Sequence, residues 1–266
     1  MIKTPLRYPG GKSKAIKFLA PYIPEFKEFR EPFVGGGSMF IYLAQKFPNT
    51  NMWINDFNSS VSLFWYNLKS SPDLLACLVQ AAKDSGISGK DLYNIKKNEI
   101  SYGLDKAVRF FILNRITFSG CAESGGYSQN AFEKRFTQSS IDRLKALPPL
   151  LKNVKVTSED YQLLLEEKGE DVFIFLDPPY LSATKSKLYG KNGDLHTSFD
   201  HNRLANSLKE CKHKWMMTYD DCEEIRDLYS FANIIPWKLQ YVMNNVNKKE
   251  CKKGGELLIS NYLTWR

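Results

Sequence analysis

Five consecutive apolar residues, Val172-Phe173-Ile174-Phe175-Leu176, leave few folds open to this chain. In a surface helix, polar residues would recur with the 3.6-residue period and interrupt such a run. In a strand with one solvent-exposed face, apolar and polar residues would alternate. The run does neither, which is typical of a central strand that is covered on both faces. It therefore predicts a sheet with a layer of helices on each side.

Segments on both sides of this run alternate between strand and helix patterns. The predicted strands are Glu28 to Phe33, Asn51 to Asn55, Val154 to Thr157, Trp215 to Thr218, Asn233 to Val242 and Glu256 to Tyr262. The predicted helices are Lys12 to Tyr22, Ser38 to Phe47, Tyr161 to Leu165, Asn202 to Cys211 and Glu223 to Ser230, and one more that Asn58-Ser59-Ser60 can cap and that carries Val61, Phe64, Trp65 and Leu68. This alternation predicts an α/β fold with a mostly parallel sheet.

The pattern changes between residues 70 and 137, where helical segments follow one another without a strong strand. Leu74 to Ala82, Asp91 to Ile100 and Asp105 to Phe118 have helical spacing, and a loop rich in Gly and Ser runs from Ser119 to Gln129. We interpret residues 70–137 as a mainly helical insert. The host domain would then consist of residues 1–69 and 138–266.

The net charge of +8 over 266 residues makes a polyanion the first partner to consider. Nucleic acid and an anionic membrane surface both fit this charge. The chain starts without the apolar core of a signal peptide, and no apolar run is long enough to span a bilayer. Five scattered cysteines without a Cys-x-x-Cys pair indicate reduced thiols and a cytoplasmic protein. The spacing of Cys211, His213 and Cys222 fits no usual zinc pattern, so no metal is expected.

Asp177-Pro178-Pro179-Tyr180 directly follows the apolar strand, at the end where ligands of such sheets bind. Consecutive prolines restrict the backbone, so the Asp177 carboxylate and the Pro178 carbonyl can be held rigidly toward one point. Both groups are acceptors, and they match the two N–H donors of a planar amino group. Tyr180 adds a ring on which a base can stack. The motif indicates a site for an amino-bearing base; a proline turn that only closes the strand is the plain alternative.

A second motif, Glu31-Pro32-Phe33-Val34-Gly35-Gly36-Gly37-Ser38, joins a predicted strand to a predicted helix. Its glycines allow a tight turn and a close approach of the backbone to a cofactor. Phe40 stands where a dinucleotide fingerprint needs its third glycine, so pyrophosphate binding is not favoured. Asp56, after the next strand, can accept hydrogen bonds from ribose hydroxyls or serve as a turn residue. The two features favour a nucleoside cofactor without a diphosphate.

Two further motifs are weaker. Tyr8-Pro9-Gly10-Gly11-Lys12-Ser13 ends like a phosphate loop, but Leu6 occupies the place of the first glycine of a Walker A motif. ATP binding is therefore rejected on this motif, and a loop that caps the first helix is the plain alternative. Asp160-Tyr161 follows a predicted strand and can contact an adenine ring or simply begin a helix.

Taken in order along the chain, these motifs are similar to those of the Dam-like class of adenine-specific DNA methyltransferases. The similarity rests on Pro9 to Lys12, Glu31 to Ser38, Asn55 to Asn58, Asp177 to Tyr180 and the closing Glu256 to Tyr262. It spans nearly the whole chain, and the order of cofactor motifs, insert and catalytic motif resembles the alpha group. The resemblance implies a Rossmann-like S-adenosylmethionine-dependent methyltransferase sheet with an inserted, mainly helical target-recognition subdomain.

The resemblance also implies the reaction and the residues that serve it. A methyl group would pass from S-adenosylmethionine to the exocyclic N6 amino group of an adenine that is flipped out of duplex DNA. Lys12 would lie near the cofactor's carboxylate, and Asp56 would hold its ribose. The cofactor-binding residues would be Tyr8, Pro9, Gly10, Lys12, Phe33, Val34, Gly35, Gly36, Gly37, Asp56, Asp160, Tyr161 and Asp177. The target base would be received by Asp177, Pro178, Pro179 and Tyr180.

DNA contacts are expected in and around the insert, where basic side chains can neutralise phosphates. The candidates are Arg7, Lys96, Lys97, Arg109, Arg115, Ser119, Lys134 and Arg135, with Lys248, Lys249, Lys252 and Lys253 as a second patch. A solvated surface charge is an equally good interpretation of each basic residue. We expect a monomer, with a companion restriction endonuclease as one biological setting.

The sequence departs from the GATC-reading enzymes of this class at the expected recognition loop. Those enzymes usually carry Asn-Gly after the recognition helix and Phe-Asn-Val-Pro soon afterwards, whereas this chain has Ser119-Gly120 and no such segment. GATC is therefore not favoured as the target. Methyltransferases for ribosomal RNA or protein glutamine are rival interpretations, but they usually show Asn before Pro-Pro-Tyr, where this chain has Asp177.

Overall fold

Seven strands form one mixed sheet in a computed structural model of the chain, which describes residues 1–181, 199–239 and 254–263. The strands are β1 (Glu28–Glu31), β2 (Asn51–Asn55), β3 (Val154–Thr157), β4 (Val172–Leu176), β5 (Lys214–Asp220), β6 (Asn233–Leu239) and β7 (Gly254–Ser260). Their order is β3-β2-β1-β4-β5-β7-β6, and only the pairs that include β7 are antiparallel. The predicted α/β class and the mostly parallel sheet are confirmed.

Strand β4 lies at the centre of the sheet, between β1 and β5. All of its residues are buried, and they alternate between two apolar cores. Phe173 and Phe175 enter the core on one face, whereas Ile174 and Leu176 enter the core on the other. Two covered faces are what an uninterrupted apolar strand requires. The chain leaves β1 toward β2 and leaves β4 toward β5, so the carboxyl ends of β1 and β4 form a topological switch point.

Helices cover both faces of the sheet. They are α1 (Ile16–Leu19), α2 (Ser38–Lys46), α3 (Ser59–Ser70), α4 (Pro72–Asp84), α5 (Gly89–Asn98), α6 (Gly103–Ile116), α7 (Gln129–Arg135), α8 (Gln138–Ala146), α9 (Pro148–Leu151), α10 (Tyr161–Glu166), α11 (His201–Glu210) and α12 (Glu223–Leu228). The core between α10, α11, α12 and the sheet is separate from the core that α1 to α9 form on the opposite face.

The segment from residue 70 to residue 137 contains α4 to α7 and no strand. Its longest helix, α6, packs against α3, and the ring of Phe111 stacks on that of Phe64 with centroids 5.8 Å apart. Both rings are fully buried in the core that also holds Phe173 of the sheet. The segment is thus helical as expected, but it shares its core with the sheet, and the domain boundaries at residues 70 and 137 stay a prediction.

Several predicted boundaries differ from the structure. The first helix is divided into a 3-10 turn at Lys12–Lys14, the short α1, and a second 3-10 turn at Ala20–Tyr22. Helices α8 and α9 were not predicted. The strand expected to reach Val242 ends at Leu239 in the described residues, and residues 240–242 lie outside them, as do Lys248, Lys249, Lys252 and Lys253.

Candidate active site

A cavity of about 600 Å³ lies at the switch point, outside the carboxyl ends of the central strands. Six segments that are far apart in the sequence line it: residues 8–12, the turn after β1, residues 55–58 around the end of β2, residues 159–161 after β3, residues 177–180 after β4, and residues 199, 200 and 203. Every residue predicted to bind cofactor or target base lines this cavity. The segments after β1 to β4 come together because these parallel strands end at the same edge of the sheet, and residues 8–12 join them from the N-terminal part of the chain.

The glycine turn after β1 is shaped by two aromatic rings that pack against it. Gly35 has φ +42°, and a Cβ atom there would lie 2.6 Å from the ring of Tyr8. Gly37 has φ +66°, and its Cβ would lie 2.6 Å from the ring of Trp65, whose Nε1 donates to the carbonyl oxygen of Gly35 at 3.0 Å. Only glycine combines the left-handed backbone with this lack of space. The turn therefore presents bare backbone to the cavity.

Asp56 is fixed against this turn by two backbone amides. Gly35 N donates to one carboxylate oxygen at 2.9 Å, and Asn58 N donates to the other at 3.0 Å. Burial raises the pKa of Asp56 to about 6, and these two hydrogen bonds limit the rise. The carboxylate lines the cavity and keeps free lone pairs, so it can accept further hydrogen bonds there.

Two buried polar side chains support the floor of the cavity and were not assigned from the sequence. Asn55 donates to the carbonyl oxygens of Pro32 and Glu159, both at 3.0 Å, and so ties together the chain after β1, β2 and β3. Glu31 accepts from Phe40 N at 2.9 Å, and burial raises its pKa well above the usual range. Both residues lie inside motifs that the sequence analysis identified, but only their long-range contacts reveal what they do.

An aromatic pocket forms one end of the cavity. The ring of Phe33 lies 5.5 Å from that of Tyr161 and 5.7 Å from that of Phe199, centroid to centroid. Asp160 caps α10 by accepting from Gln162 N at 2.9 Å, and it also forms a bidentate ion pair with Arg203 at 2.8 Å. This ion pair lowers the pKa of Asp160. Asp160 thus begins a helix, as one alternative stated, and its contact with an adenine ring stays a prediction. Phe199 and Arg203 carried no motif that could have identified them.

The turn Asp177-Pro178-Pro179 after β4, called the acidic corner below, contains an ion pair. Lys12 Nζ lies 2.7 Å from one carboxylate oxygen of Asp177 and 2.9 Å from the other, and it also donates to the carbonyl oxygen of Gly10 at 2.9 Å. Thr218 of β5 donates to Asp177 Oδ1 at 2.8 Å. The Lys12 ammonium, only 3% exposed, therefore lies on the predicted acceptor of the target amine. Its predicted place near a cofactor carboxylate stays a prediction.

Tyr180 forms a wall beside this corner. Its ring stacks on that of Tyr219 at 5.6 Å between centroids, and the Lys12 ammonium lies 5.0 Å from the Tyr180 centroid. Burial raises the pKa of the Tyr180 phenol well above its usual range, so the hydroxyl is neutral. Pro178 is buried at the edge of the cavity, and its ring restricts the backbone next to Asp177.

One of the predicted DNA-binding arginines, Arg115, is corrected by its burial, and a second, Arg109, also has backbone partners. Arg115 is 6% exposed and donates to the backbone carbonyl oxygens of Pro5 and Arg135, while Arg109 donates to those of Lys96 and Lys97 at the end of α5. Their guanidinium groups replace missing backbone partners and hold segments of the insert together. The buried Arg115 guanidinium is unsuited to reach a phosphate, whereas Arg109 is half-buried and its contact with DNA stays a prediction.

The other predicted DNA contacts lie nearer to solvent. Lys134 and Arg135 are exposed at the end of α7, and Ser119 sits in a turn with φ +54°. Lys96 pairs with Glu99 at 2.8 Å, and Lys97 donates to the Glu123 carbonyl oxygen. Arg7 is half-buried and donates to the Thr117 carbonyl oxygen at 3.1 Å, so it joins the N-terminal segment to the insert.

Within residues 1–181, 199–239 and 254–263, no cluster of side chains is suited to hold a metal ion. No helix in these ranges is long and apolar enough to cross a membrane. The histidine of the rejected zinc pattern, His213, has its Nε2 2.8 Å from the carbonyl oxygen of Glu167.

Comparison with known proteins agrees with this geometry. The profile of the D12 class of N6 adenine-specific DNA methyltransferases matches residues 8–243. The chain is 25% identical to the type II methyltransferase M.MjaIII of Methanocaldococcus jannaschii, over 98% of this chain and 99% of that protein. It is 25% identical to the DNA adenine methylase of Vibrio cholerae over 86% of this chain and 85% of that protein. It is also 23% identical to the DNA N-6-adenine-methyltransferase of Escherichia phage P1, over 84% of this chain and 30% of that protein.

Proposed function

Because the chain belongs to the D12 class of N6 adenine-specific DNA methyltransferases, we propose that the switch-point cavity binds S-adenosylmethionine and that Asp177 receives the target adenine. The observation that carries the proposal is the meeting of the glycine turn, Asp56 and the Asp177 corner around one cavity of about 600 Å³. Methyl transfer requires the cofactor and the target base to bind next to each other, and these segments are neighbours around the same cavity.

The cavity suits each part of S-adenosylmethionine. Phe33, Tyr161 and Phe199 offer apolar faces for the adenine ring. Asp56 offers acceptors for the ribose hydroxyls, and the glycine turn leaves room for the chain beyond the ribose. When bound, the cofactor supplies a methyl group that its sulfonium already activates.

The chain's own task is then to orient the amine. We propose that the Asp177 carboxylate and the Pro178 carbonyl accept the two N–H bonds of adenine N6, which turns the nitrogen lone pair toward the methyl group. Such positioning can contribute roughly 7–11 kcal/mol in favourable cases. The Lys12 ammonium lies on both oxygens of Asp177, and we propose that the entering adenine displaces it. No classical general base is assigned, and Asp177 can take the proton late or pass it to water.

A labelling experiment tests the proposed reaction. The protein is incubated with S-adenosylmethionine carrying a radioactive methyl group and with duplex DNA, RNA or protein as separate acceptors. We expect label in DNA only, recovered as N6-methyladenine after digestion. Label in RNA or protein and none in DNA would overturn the proposal. Sequencing of methylated adenines in DNA from expressing cells then identifies the target, which we propose is not GATC.

The pKa of Asp56 gives the cofactor affinity a pH dependence. Above about pH 6 the carboxylate is ionised and accepts hydroxyl donors; as the pH falls through about 6 it takes up a proton and loses acceptor capacity. We therefore expect the Kd for S-adenosylmethionine to rise as the pH is lowered from about 8 to about 5. Asp56→Asn should bind more weakly at neutral pH and with a flatter profile, measured by calorimetry. A wild-type slope kept in this variant would contradict the assignment.

DNA binding is proposed to use exposed cations of α7. Lys134→Ala with Arg135→Ala should weaken duplex binding and lower the slope of log K against log salt by about 2, since each lost phosphate contact removes about 0.9. Lys168→Ala with Lys209→Ala is the charge-matched control, because both lysines are exposed and neither lines the cavity. Fluorescence anisotropy at several salt concentrations measures both. Equal slopes for the two double variants would rule out a phosphate contact by α7.

The biological setting is proposed from the relatives. One of them, M.MjaIII of Methanocaldococcus jannaschii, is named a type II methyltransferase. A restriction endonuclease that cuts the same, unmethylated sequence is therefore the partner we propose, with a monomeric methyltransferase acting on cytoplasmic DNA. Protection of methylated plasmid DNA from such a nuclease would be the corresponding assay.

A further inference from the structure

A buried carboxyl group beside the Asp177 corner has no role in the reaction described so far. Glu256 of β7 is 1% exposed, and neither of its carboxylate oxygens has a hydrogen-bond partner among the described residues. It does not line the cavity. Buried carboxyl groups are rarely left without partners, because the lost hydration is then not replaced.

The sheet register brings Glu256 to the same face as the acidic corner. Glu256 lies opposite Asp220 of β5 and opposite Trp237 of β6. Thr218, two residues before Asp220 and therefore on the same face, donates to Asp177. Glu256 therefore belongs to a row of polar side chains that runs from Asp177, the proposed acceptor of the target amine, through Thr218 and Asp220.

The charges around Glu256 are unbalanced. The groups that act on its carboxyl are Lys12 from the N-terminal 3-10 turn, Asp177 and Tyr180 after β4, and Asp220 at the end of β5. Trp237 faces it from β6 and carries no charge. Among the described groups that act on Glu256, Lys12 is the only cation, and its ammonium lies 2.7 Å from a carboxylate oxygen of Asp177.

We infer that Glu256 is the second partner of Lys12: it receives the ammonium when the target adenine takes over Asp177. This inference rests on the proposed role of Asp177. Displacing Lys12 without a new partner would leave a buried, unpaired charge, which is strongly unfavourable. Glu256 is a buried acid within electrostatic reach of Lys12, with the neutral Tyr180 hydroxyl beside it, and its carboxylate oxygens make no ion pair among the described residues.

The proton balance of this exchange is simple. Burial raises the pKa of Glu256 to about 7, while Lys12 opposes the rise, so near neutrality the group is protonated in part and can ionise readily. When adenine enters, the Lys12–Asp177 ion pair breaks and a Lys12–Glu256 ion pair forms. Glu256 loses its carboxylic proton to solvent, and Lys12 keeps its own protons. Base capture should therefore become easier as the pH rises through about 7.

Glu256→Gln tests the exchange, because it keeps the shape of the side chain and removes the charge. In steady-state methylation of unmethylated duplex DNA, we expect kcat to fall at least about tenfold at neutral pH. The rise of kcat with pH between about 6 and 8 should disappear, since the group that ionises is gone. The Kd for S-adenosylmethionine should change by no more than about twofold, because Glu256 does not line the cavity. Glu256→Asp should keep the pH dependence at a lower kcat.

Asp221→Asn is the matched control. Asp221 follows β5 directly but pairs with Arg226 at 2.7 Å, so its loss should leave the kcat profile unchanged. An unchanged kcat in Glu256→Gln would overturn the inference. A lower kcat with the wild-type pH profile, or a parallel loss of cofactor affinity, would also overturn it and leave a structural role only. The proposed role of Asp177 fails separately, if variants of Asp177 itself stay active.

Discussion

Replacement of Asp177 by Ala should lower kcat for DNA methylation by about 100- to 1,000-fold or more, judged from single oriented groups in other active sites. The carboxylate is the proposed acceptor of the adenine N–H bond, and it is already held in place by Thr218 at 2.8 Å. Without it the amine loses both its orientation and a charge-assisted hydrogen bond. Transfer of labelled methyl groups to duplex DNA measures the effect, and cofactor affinity should fall far less than kcat because the aromatic pocket and Asp56 are untouched.

Asp171→Asn is the control for this variant. Asp171 lies at the opposite end of β4, is exposed, and has φ +46°, a conformation that Asn tolerates well. Its substitution should leave methylation unchanged. If Asp177→Ala keeps activity close to the control, Asp177 does not receive the target amine. Asp177→Asn adds a finer comparison, since it retains one oxygen acceptor while it releases Lys12 from its ion pair.

Gly37→Ala should have the largest effect on stability among the glycine positions of the site. Its φ of +66° costs a side chain about 1–2 kcal/mol, and a Cβ 2.6 Å from the fully buried ring of Trp65 adds an overpacking cost of about 1–3 kcal/mol. Trp65 cannot retreat without breaking its hydrogen bond to Gly35. We expect the free energy of unfolding to fall by about 2–5 kcal/mol and cofactor affinity to fall with it.

Gly86→Ala separates backbone strain from overpacking. Gly86 has φ +73°, but a Cβ there would meet nothing within 4 Å. It should therefore cost only the left-handed backbone term of about 1–2 kcal/mol and leave cofactor binding intact. Urea denaturation and titration with S-adenosylmethionine compare the two variants. Equal losses of stability would mean that the packing of Trp65 against the glycine turn is not tight.

Motifs carried by neighbouring residues were predictable from the sequence. The apolar strand followed by Asp177 to Tyr180, and the glycine turn followed by Asp56 after the next strand, each place functional groups at a strand end through local geometry. The meeting of these strand ends followed from the rule that parallel strands share one carboxyl edge. The family resemblance agreed with the same residues, because its motifs are these strand ends.

Contacts between distant residues could not be predicted in this way. Arg115 looked like any other basic residue of the insert, and only its burial against Pro5 and Arg135 shows that its charge serves the fold. Phe199 and Arg203 complete the aromatic pocket from a segment without a motif.

The sequence by itself determined the class of the sheet, the strand ends that carry chemistry and the family, because hydrophobic period and turn residues act over a few positions. Tertiary structure alone decided which charges are buried and which partners they have. Lys12 and Asp177 are 165 residues apart, and Glu256 reaches their neighbourhood through an antiparallel strand at the other end of the chain. A side chain's desolvation and its ion pairs depend on what packs around it, and no local pattern records that.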